Sequence, residues 1–203
     1  IVGKYKTIIQ ETILKYYEDS IFNKLIFIEQ YEPLGTGNAL FYCYDWIKTV
    51  CSEDSRILIL SGDVPLITNN TLTDFINYKP FSNTLIGYEL EVPKGYGRLL
   101  INRNDYIERI IEEKDCSELE RNIKIVNCGI YLIKYSTFIE NIGLITNNNS
   151  AKEYYLTDII GLSYLKEGFV PFFLEKEKYI EIANINTKED LENIISVVKN
   201  PLL

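Results

Sequence analysis

The stretch "RILILSGDVPLIT", Arg56 to Thr68, carries an unbroken apolar run that stops at Ser61-Gly62-Asp63. A short apolar run without alternation is expected of a strand buried on both faces, as in a parallel sheet. "NNTLTDFINY" follows and reads as a helix. In open α/β sheets ligands sit beyond the carboxyl ends of the strands, and Asp63 lies at such an end. A carboxylate there, beside a glycine that permits close approach, suits a magnesium ion bridging to phosphate oxygens. Alone, the aspartate reads equally well as a solvated turn residue or a helix cap.

Outward from this strand the pattern alternates. "YKTIIQETILKYY" (Tyr5 to Tyr17) has apolar residues at helical spacing, and "KLIFIEQ" (Lys24 to Gln30) is a short apolar run expected to be a buried strand. "GNALFYCYDWIKTV" (Gly37 to Val50) reads as a helix and "NTLIGYELEV" (Asn83 to Val92) as a strand. Such alternation implies βαβ units and an α/β fold with a parallel sheet. "GRLLINRNDYIERIIEEKD" (Gly97 to Asp115) then reads as a hairpin turning at Arg103-Asn104-Asp105. "KIVNCGIYLIK" (Lys124 to Lys134) is a long strand and "EYYLTDIIGLSYLKEG" an amphipathic helix. "PFFLE" and "YIEIANI" suggest two late strands, and "KEDLENIISVVKN" a closing helix. The expectation is one domain over residues 1–203, an α/β core with a β-rich inserted lobe.

The chain has 203 residues, 46% of them hydrophobic, enough for one sizeable core. Its net charge of −8 argues against a non-specific nucleic-acid binder, which needs a basic face. An anionic ligand would need a metal or a few placed cations. With no histidine, Ser-His-Asp and Cys-His catalysis are excluded. The four cysteines, Cys43, Cys51, Cys116 and Cys128, form no CxxC pair and read as reduced thiols of a cytoplasmic protein. No apolar run is long enough for a membrane span, and no secretion leader is visible. The chain starts at Ile1 and contains no methionine, as expected of a fragment, a processed product or an incomplete gene model.

Other stretches could hold a ligand. In "YEPLGTGNAL" (Tyr31 to Leu40), Gly35 and Gly37 let the backbone approach a flat ligand, Thr36 adds a hydroxyl, and Gln30 offers an amide to a base edge. An ordinary glycine-containing helix start explains the same residues. "PKGYGR" (Pro93 to Arg98) is a tight turn or a means of bringing backbone amides to sugar hydroxyls. Glu112 of "EEKD" can accept from such hydroxyls, and Asn127 of "VNCG" can bond an amide or hydroxyl.

The order LGTG, GD, GYGR, E-x-K-D, N-x-G, "TNNNSAKEYYLTDII" (Thr146 to Ile160) and NIN resembles the uridylyltransferase domain of bacterial N-acetylglucosamine-1-phosphate uridylyltransferases. The resemblance runs from Ile1 to about the last helix. It implies a doubly wound, mostly parallel sheet of the nucleotide-diphospho-sugar transferase type with an inserted β-rich sugar-binding lobe. The implied reaction joins UTP and N-acetylglucosamine 1-phosphate into UDP-N-acetylglucosamine and releases pyrophosphate, with Mg²⁺ as cofactor and no protein nucleophile. Gln30, Gly35 and Thr36 match the family's uracil-reading positions. Ser61, Gly62 and Asp63 match its ribose and metal segment, and Asp63 and Asn186 its two protein metal ligands. Gly97, Glu112 and Asn127 match sugar contacts, and Thr157 a position close to the sugar and its phosphate.

Three departures stand out. Ser61 replaces a frequent tyrosine, and Asn38 a frequent histidine. Cys128 replaces a threonine beside Asn127. Thirdly, the family opens with a strand, a glycine-rich loop carrying Thr-Arg, and a later lysine, which together hold the triphosphate. Here "IVGKYKTIIQ" resembles the end of the second βα unit, so a strand and one unit, roughly 30–50 residues, are expected to be absent. The acetyltransferase half of many bacterial members has no counterpart in the sequence. Residues 1–203 alone are therefore expected to be poorly stable and without transferase activity. Two alternatives remain: a non-catalytic sugar-nucleotide binding subunit, and a nucleotidyltransferase for another sugar 1-phosphate.

Overall fold

The computed structural model describes residues 1–199. Six strands, β1 (Arg56–Ile59), β2 (Asn83–Glu89), β3 (Arg98–Ile101), β4 (Ile107–Ile111), β5 (Ile125–Lys134) and β6 (Phe169–Phe173), form one sheet in the order β1-β5-β2-β6-β4-β3. The helices are α1 (Lys6–Tyr16), α2 (Asp19–Phe22), α3 (Thr36–Phe41), α4 (Tyr44–Val50), α5 (Asn69–Asn77), α6 (Tyr135–Asn141), α7 (Asp158–Glu167) and α8 (Lys188–Lys199). Asn200, the last residue of the expected closing helix, lies outside the described residues.

Strand β5 organises the molecule. Its residues alternate between faces with the period of a strand. Val126, Cys128, Ile130 and Leu132 join one core with Phe75 of α5, Ile86 and Ile182. Tyr131 and Ile133 join the other, with Phe138 of α6, Ile159 and Ile160 of α7, and Leu40 and Ile47 of α3 and α4. Both faces of the sheet are thus covered, giving a three-layer α/β arrangement.

The sheet is mixed, not mostly parallel. Only β2 and β6 run parallel, from Asn83↔Phe169 to Gly87↔Phe173. β5 lies between β1 and β2 and is antiparallel to both. The run at Ile57 to Leu60 forms a strand, but neither its expected full burial nor a parallel neighbour is found. β1 is in fact an edge strand whose four residues are only half-buried. The β3–β4 hairpin forms no separate sheet. It joins the main one through Arg98↔Val126 and Ile107↔Phe169.

Two expected strands are not strands. Lys24 to Gln30 makes a single parallel bridge, Glu29 to Val2, with no longer partner among the described residues. "YIEIANI" starts within a 3₁₀ turn, Lys176–Ile182. There the buried Glu181 carboxylate accepts from the Thr68 N–H and hydroxyl, both at 3.0 Å, at the start of α5. That tertiary bond, and the burial of Ile182 in the core, replace a ladder. The expected helix at Gly37 to Val50 divides into α3 and α4 around Tyr42 and Cys43, and α1 forms as expected but buries none of its residues.

Candidate active site

The site is assembled at the ends of β1, β4 and β5 and the entry to α7. A cavity of about 300 Å³ brings together Thr36, Ser61, Gly62, Glu112, Asn127 and Thr157, contributed by five separate segments. A second cavity, about 560 Å³, lies on the other side of Glu112 and Thr157 and is lined by Tyr155, Asp115 and Asp158. The two share that Glu112–Thr157 wall.

Thr36 sits where the segment 34–37 is stitched to 154–156. Tyr154 N–H donates to the Leu34 carbonyl at 2.8 Å, and Gly37 N–H to the Tyr154 carbonyl at 2.7 Å. Leu156 N–H donates to Thr36 Oγ1 at 3.0 Å. Gly35 has φ 118°, and a Cβ there would lie 2.5 Å from the Tyr154 carbonyl oxygen. The glycine is what lets the Tyr154 backbone pass this close on that side. Gln30 Nε2 donates to Asn38 Oδ1 at 2.7 Å and to the Gly35 carbonyl at 3.3 Å. Its carbonyl end stays available.

Ser61 and Gly62 follow β1. Ser61 packs on Gly129, whose φ is 72°, and a Cβ on Gly129 would lie 2.8 Å from Ser61 Oγ. Asp63 is drawn to the segment before α8, because Ile185 N–H donates to its carbonyl at 2.9 Å. This places Asp63 beside the Asn184–Asn186 strip. The half-buried Asp63 carboxylate has no hydrogen-bond or ion-pair partner among the described residues. Asn186 is exposed, and its own N–H donates to Asp190 Oδ2 at 3.0 Å.

Glu112 Oε1 accepts from the Thr157 hydroxyl at 2.9 Å, and Thr157 is buried. Burial pushes the Glu112 carboxyl above its ordinary range. Thr157 works against that, and Asp115, Asp158 and Glu153 add to it. Gly97 flanks this carboxylate: a Cβ there would lie 2.9 Å from Ile110 Cγ2 and 3.4 Å from Glu112 Oε2. The Gly97 carbonyl accepts from Asn127 N–H at 2.9 Å. Asn127 Nδ2 in turn donates to the Tyr131 hydroxyl at 2.6 Å, and its Oδ1 accepts from Gly129 N–H at 3.1 Å.

No protein-family model matches the chain. It is 40% identical, over 98% of its length, to the Acanthamoeba polyphaga mimivirus protein named "Probable UDP-N-acetylglucosamine pyrophosphorylase", and it spans 78% of that protein. The chain belongs to the UDP-N-acetylglucosamine pyrophosphorylase family. It is also 34% identical over 92% of its length to the bifunctional protein GlmU of Acetivibrio thermocellus, but spans only 40% of that relative. Among solved structures it superposes on HddC from Yersinia pseudotuberculosis, bound to GMP-PN, with a TM-score of 0.60 at 18% identity, covering 97% of this chain and 76% of that one. A UDP-glucose pyrophosphorylase bound to UDP-glucose gives 0.60 at 13%, covering 90% and 77%. These two likenesses establish the fold.

Of the positions matched to the family by sequence, Thr36, Ser61, Gly62, Glu112, Asn127 and Thr157 meet in the cavity. Gly97 supports it from behind Glu112, while Asp63 and Asn186 lie on neighbouring strips of backbone. Gln30 and Gly35 are not among its lining residues; Gln30 is bonded to Gly35 and to Asn38.

The sequence reading missed three contributors. Tyr131 lines the smaller cavity and Tyr155 the larger one. Burial and the nearby Asp115 and Glu112 push the Tyr155 hydroxyl up to about 12. Asp190 accepts from the N–H groups of both Asn186 and Thr187, and Thr187 Oγ1 accepts from Asp190 N–H. The Thr-x-x-Asp spacing at 187–190 is a capping-box pattern that could have flagged it. No helix among the described residues is long and apolar enough to cross a membrane.

Proposed function

We propose that this chain is a uridylyltransferase that joins UTP and N-acetylglucosamine 1-phosphate into UDP-N-acetylglucosamine and pyrophosphate. The observation that carries the reading is the convergence of six matched side-chain and backbone positions on one cavity in a member of this family. A phosphate oxygen of the sugar 1-phosphate attacks the α-phosphorus of UTP. The new P–O bond forms as the bond to the β-phosphate oxygen breaks, and pyrophosphate leaves. No protein nucleophile is needed, so the chain's work is positioning and charge stabilisation.

The Gln30 carbonyl and the Gly35–Thr36 backbone face the uracil, and Ser61 and Gly62 the ribose. Glu112 accepts from the sugar, with Gly97 and Asn127 fixing its height in the cavity. Thr157 holds Glu112 in place. Asp63 and Asn186 suit Mg²⁺: both are hard oxygen donors, the Asp63 carbonyl is bonded to Ile185 next to Asn186, and the Asp63 carboxylate has no partner among the described residues. The described residues contain no cluster of three or more acidic, histidine or cysteine ligands. The protein would therefore give two ligands and leave the rest to water and phosphate, the usual habit of this ion. When bound, the ion would offset charge on the phosphates.

A second reading, a sugar-nucleotide binder without turnover, is favoured by one observation. Among the described residues no lysine or arginine lines the smaller cavity. Pyrophosphate release from UTP, measured with and without each sugar 1-phosphate and Mg²⁺, separates the readings. Release that requires N-acetylglucosamine 1-phosphate supports the transferase. Tight binding of UDP-N-acetylglucosamine with no release supports the binder, and equal release with glucose 1-phosphate supports another sugar.

A further inference from the structure

Tyr131 stands on β5 four residues after Asn127 and on the same face. Its side chain is 4% exposed, yet it lines the smaller cavity together with Glu112, Asn127 and Thr157. The hydroxyl oxygen accepts from Asn127 Nδ2 at 2.6 Å. Its own proton has no acceptor among the described residues. A buried O–H left unbonded is costly, so the cavity is arranged for an acceptor that arrives with a ligand. Burial pushes the hydroxyl well above the ordinary tyrosine range. Asn127 works against that, and Glu112 adds to it, so the group keeps its proton at any physiological pH.

The neighbours narrow the class of acceptor. Asn127 Oδ1 is taken by Gly129, and Glu112 Oε1 by Thr157. What remains is a donor at Tyr131 and an acceptor at Glu112 Oε2, both lining one cavity. An amide supplies one carbonyl acceptor and one N–H donor. Leu40, Ile59 and Leu156 line the same cavity and suit a methyl group. We infer that Tyr131 donates its phenolic proton to the carbonyl oxygen of the sugar's acetamido group, and so helps the site to select N-acetylated over unmodified sugars. The inference rests on the proposed function and names the group that reads its sugar.

Calorimetry with UDP-N-acetylglucosamine, UDP-glucose and UTP tests it in wild type, Tyr131→Phe, Asn127→Ala and the double variant. Tyr131→Phe should weaken UDP-N-acetylglucosamine binding by about tenfold. It should leave UDP-glucose and UTP within about twofold, and the melting temperature within a few degrees. In the Asn127→Ala background the phenyl substitution should still cost about as much, because the donor meets the ligand directly. A double variant no weaker than Asn127→Ala would show that Tyr131 acts only by orienting Asn127, and would overturn the inference. Equal losses for all three ligands would show a merely structural role, also overturning it. If Tyr131→Phe does not fold, Tyr131→Leu carries the same comparison. Wild type that binds UTP but no UDP-N-acetylglucosamine would sink the proposed function itself, which distinguishes the two failures.

Discussion

Glu113→Ala should unfold the protein far more readily than its position in a surface turn suggests. Arg98, on β3, is fully buried, with its side chain 2% exposed. Glu113 Oε2 meets its Nη2 at 2.7 Å, and the Tyr96 carbonyl accepts from Nη1. The Arg98 Nε has no partner among the described residues. Glu113 also accepts from Gly95 N–H at 3.1 Å and from Arg121. Removing the carboxylate leaves a buried guanidinium with one carbonyl for company. Breaking a buried pair by deleting one partner costs about 3–5 kcal/mol. Glu113 is itself 25% exposed, so water can reach the gap and the lower end applies, about 3 kcal/mol. In a domain of this size that lowers the melting temperature by about 6–12 °C. Arg98→Met in the Glu113→Ala background removes the stranded charge and should recover most of the loss. Urea unfolding followed by circular dichroism measures all three variants. A loss below about 1 kcal/mol in Glu113→Ala would refute the reasoning, as would a double variant no more stable than the single one.

Four further outcomes are expected. Asp63→Ala should reduce Mg²⁺-dependent turnover by about 100-fold or more with an unchanged melt, because its carboxylate supports no other group; near-normal pyrophosphate release would remove it from the metal site. Asp190→Ala frees the Asn186 and Thr187 N–H groups, so it should lower the melting temperature slightly and raise the Mg²⁺ concentration for half-maximal nucleotide binding. Glu112→Gln should raise stability at neutral pH while weakening sugar binding, a trade read by thermal melts and calorimetry side by side. Its folded carboxyl lies above the ordinary value of 4.5, so ionised Glu112 destabilises the fold at neutral pH, and that burden lifts as pH falls through the raised value. For Glu113 burial pushes up, but Arg98, Gly95 and Arg121 prevail and hold it below 4.5; its contribution is complete above that value and is lost as pH falls through the folded one. Acid titration of wild type and the two single variants should separate these opposite slopes.

Much of this was legible where local chemistry and tertiary context agree. The Gly97–Asp115 hairpin announced its turn at Asn104-Asp105, and Asp105 adopts φ 62° there. β5 was visible as a long strand because its ten residues, Ile125–Lys134, are mostly β-branched, aromatic or otherwise apolar, which suits a strand packed on both faces. Strand direction was not legible, since apolar runs record burial and β5 reverses between β1 and β2 without changing anyone's composition. "YIEIANI" alternates like a strand, but Glu181 spends its carboxylate on Thr68, 113 residues away in the chain. Within the site, Glu112 and Asn127 stood out by motif. Tyr131 did not, because a tyrosine in a core strand is ordinary until its unbonded proton is seen in space.

The neighbouring carboxylates Glu112 and Glu113 explain how an acidic protein can present an acid to an anionic substrate. Glu112 has extended backbone, φ −66° and ψ 148°, so consecutive side chains leave on opposite sides. Glu113 turns toward Arg98 and Arg121 and is neutralised by them. Glu112 turns toward Thr157, a neutral donor, and meets no cation among the described residues. Had an arginine reached Glu112 instead, its lone pairs would be occupied and its pull on a sugar N–H or hydroxyl weakened. The cost is a buried, unneutralised charge, visible as a raised carboxyl. Under the proposed function a ligand donor would return that cost on binding, whereas Glu113 offsets its own within the fold. Exchange of the two environments would therefore not be neutral. A cation introduced beside Glu112, as in Thr157→Lys, should lower the Glu112 carboxyl and weaken sugar binding together, while leaving the Arg98–Glu113 pair and its contribution to stability in place.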